Sequence, residues 1–265
     1  MKNEALDSYH AFFLDVDGVL VRGGEVIPGA IEGVAKLQRI GRVLLLSNNS
    51  TRSRKQVASS LKKAGFPIEE QDIVNSAFIA SEYLRDHYGL LRVWVLGEEG
   101  LGLEIAAAGH RLVAPQEAEW IVAGMDRSLN YGKLTKALVA LSTCGGRFLA
   151  TNTDRTFPTT DGPRPGAGAT IGALTGMGYP PTVIVGKPAK IAFDVALEMA
   201  GCTPSQVLMI GDRMETDILG ASGAGIDSAL VLTGVTQREM IQTHAYAPRF
   251  VADSLHALAN GNLCG

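Results

Sequence analysis

The chain has 265 residues, 46% of them hydrophobic and 19% charged, with a formal net charge of −3. That is enough to bury a large core in one domain or two, and the slightly acidic balance argues against a nucleic-acid surface. Three scattered cysteines (Cys144, Cys202, Cys264) argue against a disulfide framework, and the polar start Met1-Lys2-Asn3-Glu4 shows neither signal peptide nor membrane span, so a cytoplasmic protein is expected.

The first apolar run, 11–14, is too short for a helix and reads as a buried strand of a parallel sheet. It stops at Asp15-Val16-Asp17-Gly18, where Asp15 and Asp17 would sit just past the carboxyl end of the strand. That is where open α/β sheets bind ligands. Two carboxylates this close repel unless one is protonated or a cation lies between them. Mg²⁺ prefers oxygen ligands and shares them with phosphate. The competing reading is a surface turn. A calcium loop does not fit, because the alternating oxygen ligands stop at Asp17 and no glutamate closes the loop.

Pro28 is placed to open a helix with Ile31, Val34, Ala35 and Leu37 at helical spacing, stopped by Gly41. A second buried strand over 42–46 ends in Ser47-Asn48-Asn49-Ser50-Thr51. Ser47 and Asn48 can donate hydrogen bonds to phosphate oxygens, or serve as plain turn chemistry. Ser50 or Thr51 is the expected cap of the helix holding Val57, Ala58 and Leu61.

From Ser76 the texture changes to a second α/β unit. Helices are expected over 78–84, 101–108 and 131–141, and strands over 92–97, 111–114, 120–124 and 147–150, the last followed by Thr151-Asn152-Thr153-Asp154. The Gly/Pro-rich stretch 161–170 reads as a loop leading into a helix over 169–176. Its Gly166-Ala167-Gly168 lacks the spacing of a dinucleotide fingerprint. A strand over 183–186 then meets Lys187-Pro188, where Pro188 replaces the Ser or Thr of a nucleotide-binding P-loop. A helix over 191–200, strands over 206–211 and 229–234, and a last strand over 249–254 complete the chain.

Four strands thus end in polar residues: Asp15 and Asp17, Ser47, Lys187, and Asp212 with Asp217. If they share one parallel sheet, neighbours lie about 4.8 Å apart and the side chains converge. Each phosphate–carboxylate pair about 4 Å apart costs about 4 kcal/mol at an effective dielectric of about 20. One lysine cannot offset that, so a divalent cation is required. With it, a free carboxylate can attack phosphorus and form an aspartyl phosphate.

The chain resembles the haloacid dehalogenase superfamily, and within it the NagD-like, 4-nitrophenylphosphatase-like branch. The resemblance rests on Leu14-Asp15-Val16-Asp17-Gly18-Val19-Leu20, Ser47-Asn48-Asn49-Ser50, Thr151-Asn152-Thr153-Asp154, Gly186-Lys187-Pro188, Gly211-Asp212-Arg213-Met214-Glu215-Thr216-Asp217-Ile218 and Val231-Leu232-Thr233-Gly234-Val235, in family order over nearly the whole chain. Ser47 departs from the threonine this branch often has, with the hydroxyl kept.

The resemblance implies an α/β fold: a Rossmann-like doubly wound parallel core (1–77 and 180–265) with an inserted smaller α/β cap (78–179). It implies an Mg²⁺-dependent phosphatase acting on a small-molecule phosphomonoester. Asp15 would be nucleophile and metal ligand. Asp17 would be the general acid and base, with its backbone carbonyl on the metal. Ser47 would bind the phosphoryl group with Asn48 beside it, and Lys187 would orient Asp15 and phosphate. Asp212 would bind Mg²⁺ and Asp217 support the metal shell, while Asn152 and Asp154 would reach the substrate from the cap. Because caps of this kind pair, the resemblance also implies a homodimer. Phosphotransfer to another alcohol uses the same site and stands as the alternative. A binding protein without turnover and a nicotinamide-dependent oxidoreductase are the rivals from other classes.

Overall fold

The computed structural model describes residues 6–159, 161–243 and 245–264. Six parallel strands form the main sheet, in the order Phe250–Ala252, Asp227–Val231, Val207–Gly211, Ala11–Leu14, Arg42–Ser47, Ile73–Asn75. The two central strands, Ala11–Leu14 and Val207–Gly211, are buried along their whole length. Uninterrupted apolar runs such as Ala-Phe-Phe-Leu suit a strand covered on both faces. Leu14 pairs with Ile210 on one side and Leu45 on the other. The register therefore brings Asp15, Ser47 and Asp212 out at nearly the same level of the carboxyl edge.

On one face, the helices Ala30–Leu37 and Leu255–Ala259 pack over Phe12, Leu14, Leu45 and Ile210. On the other, Ser76–Tyr88 and Lys190–Ala200 pack over Phe13, Leu44 and Met209. That second apolar layer continues into Val93, Trp120, Val122 and Leu149 of a second sheet, so the inserted unit shares a core with the first. The second sheet is parallel throughout, in the order Val183–Ile184, Phe148–Ala150, Trp120–Ala123, Arg92–Leu96, Arg111–Leu112. Its far face is covered by Tyr131–Thr143 and Ala167–Gly176. The fold is the expected α/β one, a Rossmann-like core with an inserted smaller α/β unit. Among the described residues no helix is long and apolar enough to cross a membrane.

Several local expectations change. The strand ahead of Lys187 does not join the main sheet; Val183–Ile184 pairs with Phe148–Ala150 and forms an edge of the second sheet. The Gly/Pro-rich stretch is no loop. Thr156–Thr159 and Gly162–Pro165 form a two-stranded antiparallel hairpin in which Pro158 faces Pro163. Proline lacks the ladder donor but is tolerated in an isolated ribbon with open edges. The helix after the second strand begins at Arg54 and is capped by Ser53, not Ser50 or Thr51. Ser53 and Gln56 exchange the two hydrogen bonds of a capping box. A short pair, Val21–Arg22 with Glu25–Val26, projects just after Asp17.

Candidate active site

Both sheets point their carboxyl ends at one cavity of about 280 Å³. The main sheet contributes Asp15, Asp17, Ser47, Asn48 and Arg213 to its walls; the second contributes Arg127, Asn152, Asp154 and Lys187. Asp212 and Asp217 stand at the floor behind Asp15. Among the described residues, Asp15, Asp212 and Asp217 are the carboxylates gathered with oxygens within 4.8 Å of one another.

Lys187 is only 3% exposed and bridges this group. Its Nζ lies 2.8 Å from Asp15 Oδ1 and 2.7 Å from Asp217 Oδ1. Burial pulls the ammonium down, but Asp15 and Asp217 outweigh it and hold the group above its ordinary value. Asp217 is saturated, because its other oxygen accepts from the backbone N–H of Asp212 at 3.2 Å and of Arg213 at 3.1 Å. Burial pushes its carboxyl up, against the pull of Lys187. A π-helical turn, Met214–Ile218, carries Asp217 back beneath Asp212.

Asp212 is held differently. Oδ2 accepts from Val235 N–H at 2.7 Å, while Oδ1 is buried with no hydrogen-bond partner among the described residues. Burial and the charges of Asp15 and Asp217 push this carboxyl well above its usual range. Gly18, in the left-handed region at φ +93°, lets the chain turn against it; a Cβ there would lie 2.5 Å from Oδ2. An orphaned buried carboxylate oxygen facing two more carboxylates fits a hard divalent cation, which prefers oxygen ligands. The donor set therefore matches a metal site.

Asp17 is not part of the three-carboxylate group. Its side chain opens onto the cavity solvent although it lies deep between the sheets. Desolvation first, and the Asp15 charge second, push its carboxyl up to about 6; cavity water tempers the first cause. Ser47 Oγ accepts from Asn49 N–H at 3.1 Å, leaving its own O–H free to donate.

Asn48, Asn152 and Asp154 form a seam between the two sheets. Asn48 Nδ2 donates to the Asp154 carboxylate at 3.1 and 3.2 Å and to the Lys187 carbonyl at 2.9 Å. Asn152 Nδ2 donates to the Asn48 carbonyl at 2.7 Å. Burial pushes the Asp154 carboxyl up, and the Asn48 bonds pull against it.

The sequence reading missed two cavity arginines. Arg213 was embedded in a quoted motif without being singled out. Arg127, on the loop after Trp120–Ala123, is clamped by Glu98 through Nε at 2.7 Å and a terminal nitrogen at 2.5 Å. It also missed the hairpin wall, where Thr156, Phe157 and Thr159 line the cavity.

The comparisons with known proteins agree with this geometry. A haloacid dehalogenase-like hydrolase model matches residues 12–111, and a second model of the same hydrolase type matches residues 184–258. The sugar-phosphatase AraL of Bacillus subtilis is 36% identical over 91% of this chain and 89% of its own length. This chain belongs to the haloacid dehalogenase-like hydrolases. Its place in their NagD-like, 4-nitrophenylphosphatase-like branch follows from solved structures. A p-nitrophenyl phosphatase of Archaeoglobus fulgidus superposes with a TM-score of 0.89 at 37% identity, over 95% of this chain and 98% of the other. A 4-nitrophenylphosphatase of Thermotoga maritima superposes with a TM-score of 0.91 at 32% identity, over 97% and 98%.

Proposed function

We propose that this member of the family is an Mg²⁺-dependent phosphomonoesterase acting on a small metabolite through an aspartyl phosphate. The observation that carries the reading is the carboxylate trio Asp15, Asp212 and Asp217, closed by Lys187 and left with one orphaned oxygen on Asp212. Asp15, Asp212 and the backbone carbonyl of Asp17 would hold the metal. When bound, the ion supplies the positive charge that lets a phosphate dianion approach these carboxylates.

The remaining work belongs to the chain. Lys187 holds Asp15 through one carboxylate oxygen, so that its free oxygen can attack phosphorus. The Asp15 O–P bond forms as the bond to the alcohol oxygen breaks. Asp17, with its raised proton affinity, gives that oxygen a proton. It then takes a proton from water, whose oxygen attacks phosphorus and releases phosphate and free Asp15. The free hydroxyl proton of Ser47 suits a phosphoryl oxygen. Both amide protons of Asn48 are taken by Asp154 and Lys187, so Asn48 positions the Lys187 loop. Asp154, itself an acceptor, orients Asn48, and its charge would repel phosphate.

The test is phosphate release from p-nitrophenyl phosphate, with Mg²⁺ or EDTA, by wild type and Asp15→Asn. Activity is expected only with Mg²⁺ and Asp15 together, with a loss of at least about a thousandfold in the variant. Turnover that survives in Asp15→Asn removes the aspartyl phosphate; turnover that survives EDTA removes the metal.

A further inference from the structure

Among the described residues the cavity presents three cations, and they are engaged to different degrees. Lys187 is consumed by Asp15 and Asp217. Arg127 is consumed by the two-point clamp of Glu98, which leaves the pair neutral. Arg213 forms no ion pair among the described residues; its charge reaches Asp17, Asp154 and Asp212 only at longer range. Its side chain makes a single long hydrogen bond, 3.4 Å, from a terminal nitrogen to the Thr156 carbonyl. A guanidinium has five N–H donors in a planar fork, so most of its capacity is unspent.

Its position says what that capacity is for. Arg213 rises from the loop beside Asp212, yet its tip meets the hairpin Thr156–Thr159 on the opposite wall. Lys187 and Ser47 already serve the floor, where the phosphoryl group would sit. The Arg213 fork therefore faces the space left for the leaving alcohol. A planar fork with free donors recognises a carboxylate or phosphate at two points, and a neutral hydroxyl uses it poorly.

We propose, resting on the phosphatase reading above, that Arg213 is a specificity residue that clamps a second anionic group on the leaving alcohol. The preferred substrates are then small phosphomonoesters with a carboxylate or a further phosphate close to the ester.

The matched probes are phosphoglycolate and 2-hydroxyethyl phosphate, which differ by a carboxylate against a hydroxymethyl group. Wild type should prefer phosphoglycolate. Arg213→Met should lower kcat/KM for phosphoglycolate by about 10- to 100-fold, through KM. The loss on 2-hydroxyethyl phosphate should be much smaller. Arg213→Lys, which keeps the charge and loses the fork, should fall between. Comparing two substrates on one variant cancels any shared disturbance of Asp212. Equal losses on both would overturn the proposal and place Arg213 at the phosphoryl group. No wild-type preference for phosphoglycolate would overturn it as well, even with p-nitrophenyl phosphate hydrolysed normally. A wild type inert toward all three esters would sink the phosphatase reading itself. The clamp is then judged by calorimetric binding of the two probes to Asp15→Asn in Mg²⁺, with and without Arg213→Met. Tighter phosphoglycolate binding that Arg213→Met removes supports the clamp, and equal binding overturns it.

Discussion

The six-stranded sheet delivers Asp15, Asp17 and Ser47 to the cavity, with Asp212 close behind Asp15, whereas the five-stranded sheet delivers Arg127, Asn152, Asp154 and Lys187. Both sheets are parallel, and both open their carboxyl ends onto the same space. One brings together carboxylates that repel each other; the other supplies the cation that relieves them, across contacts of 2.8 and 2.7 Å. A charge cluster too unfavourable for one sheet becomes tolerable when its counter-ion arrives from the second. The site is therefore a property of the junction, and the continuous apolar layer through Phe13, Trp120 and Phe193 fixes the junction in place.

The sharpest way to break this arrangement is to remove Lys187. Lys187→Met strands Asp15 and Asp217 without their cation. Losing one partner of a buried ion pair costs about 3–5 kcal/mol. Denaturant unfolding of the metal-free variant at pH 7.5 should show a loss of that size, with turnover falling at least about a hundredfold. The stability loss should shrink at pH 5, where the stranded Asp217 carboxyl, already pushed up by burial, takes up a proton.

The next effect comes from pH and metal together. The Asp17 carboxyl titrates at about 6 in the folded chain, against about 3.9 unfolded. Asp212 and Asp217 are shifted upward too. Between these limits the folded chain binds more protons than the unfolded one. Metal-free stability should therefore fall as pH rises from about 4 through 6 on account of Asp17 and Asp217, and Asp212, shifted the same way, adds to the fall. Thermal melts in EDTA should give a higher Tm at pH 5 than at pH 7.5. Mg²⁺ should raise Tm more at pH 7.5, and Asp17→Asn should flatten the EDTA profile. A metal-free Tm that climbs across this window would contradict the packing described for these carboxylates.

The smallest effect is expected at the seam. Asp154→Asn keeps the shape but turns one acceptor oxygen into a donor facing the Asn48 amide. Loss of that hydrogen-bonded contact should cost about 1 kcal/mol in unfolding, with kcat reduced severalfold because the Lys187 loop is less firmly held. A kcat equal to wild type would reduce the seam to plain packing.

Much of the first sheet was legible because its strands are short apolar runs that stop at a polar residue, as at Leu14-Asp15 and Gly211-Asp212. The strand Ile73–Asn75 escaped because three residues carry almost no period. Ser53 left a usable signal, since Gln56 three residues on completes a capping box. The hairpin Thr156–Thr159 with Gly162–Pro165 did not, because proline and glycine at that density describe a loop equally well. The run before Lys187 reads as a buried strand in either sheet; its membership was settled only by pairing with Phe148–Ala150. Arg213 was invisible for a related reason. An arginine in a motif looks the same whether its charge is spent on a neighbour or kept for a ligand.

The sequence by itself determined the strand ends and the chemical types placed there, because both follow from local polarity and backbone preference. It also carried the expectation that so many carboxylates beside one lysine need a divalent cation before they accept phosphate. The tertiary structure decided which sheet brings the lysine and, among the described residues, which oxygen of Asp212 has no hydrogen-bond partner and which of three cavity cations has no ion pair. Those outcomes depend on contacts between segments far apart in the chain, from 23 residues for Asp212 and Val235 to 172 for Asp15 and Lys187, and no local pattern encodes them.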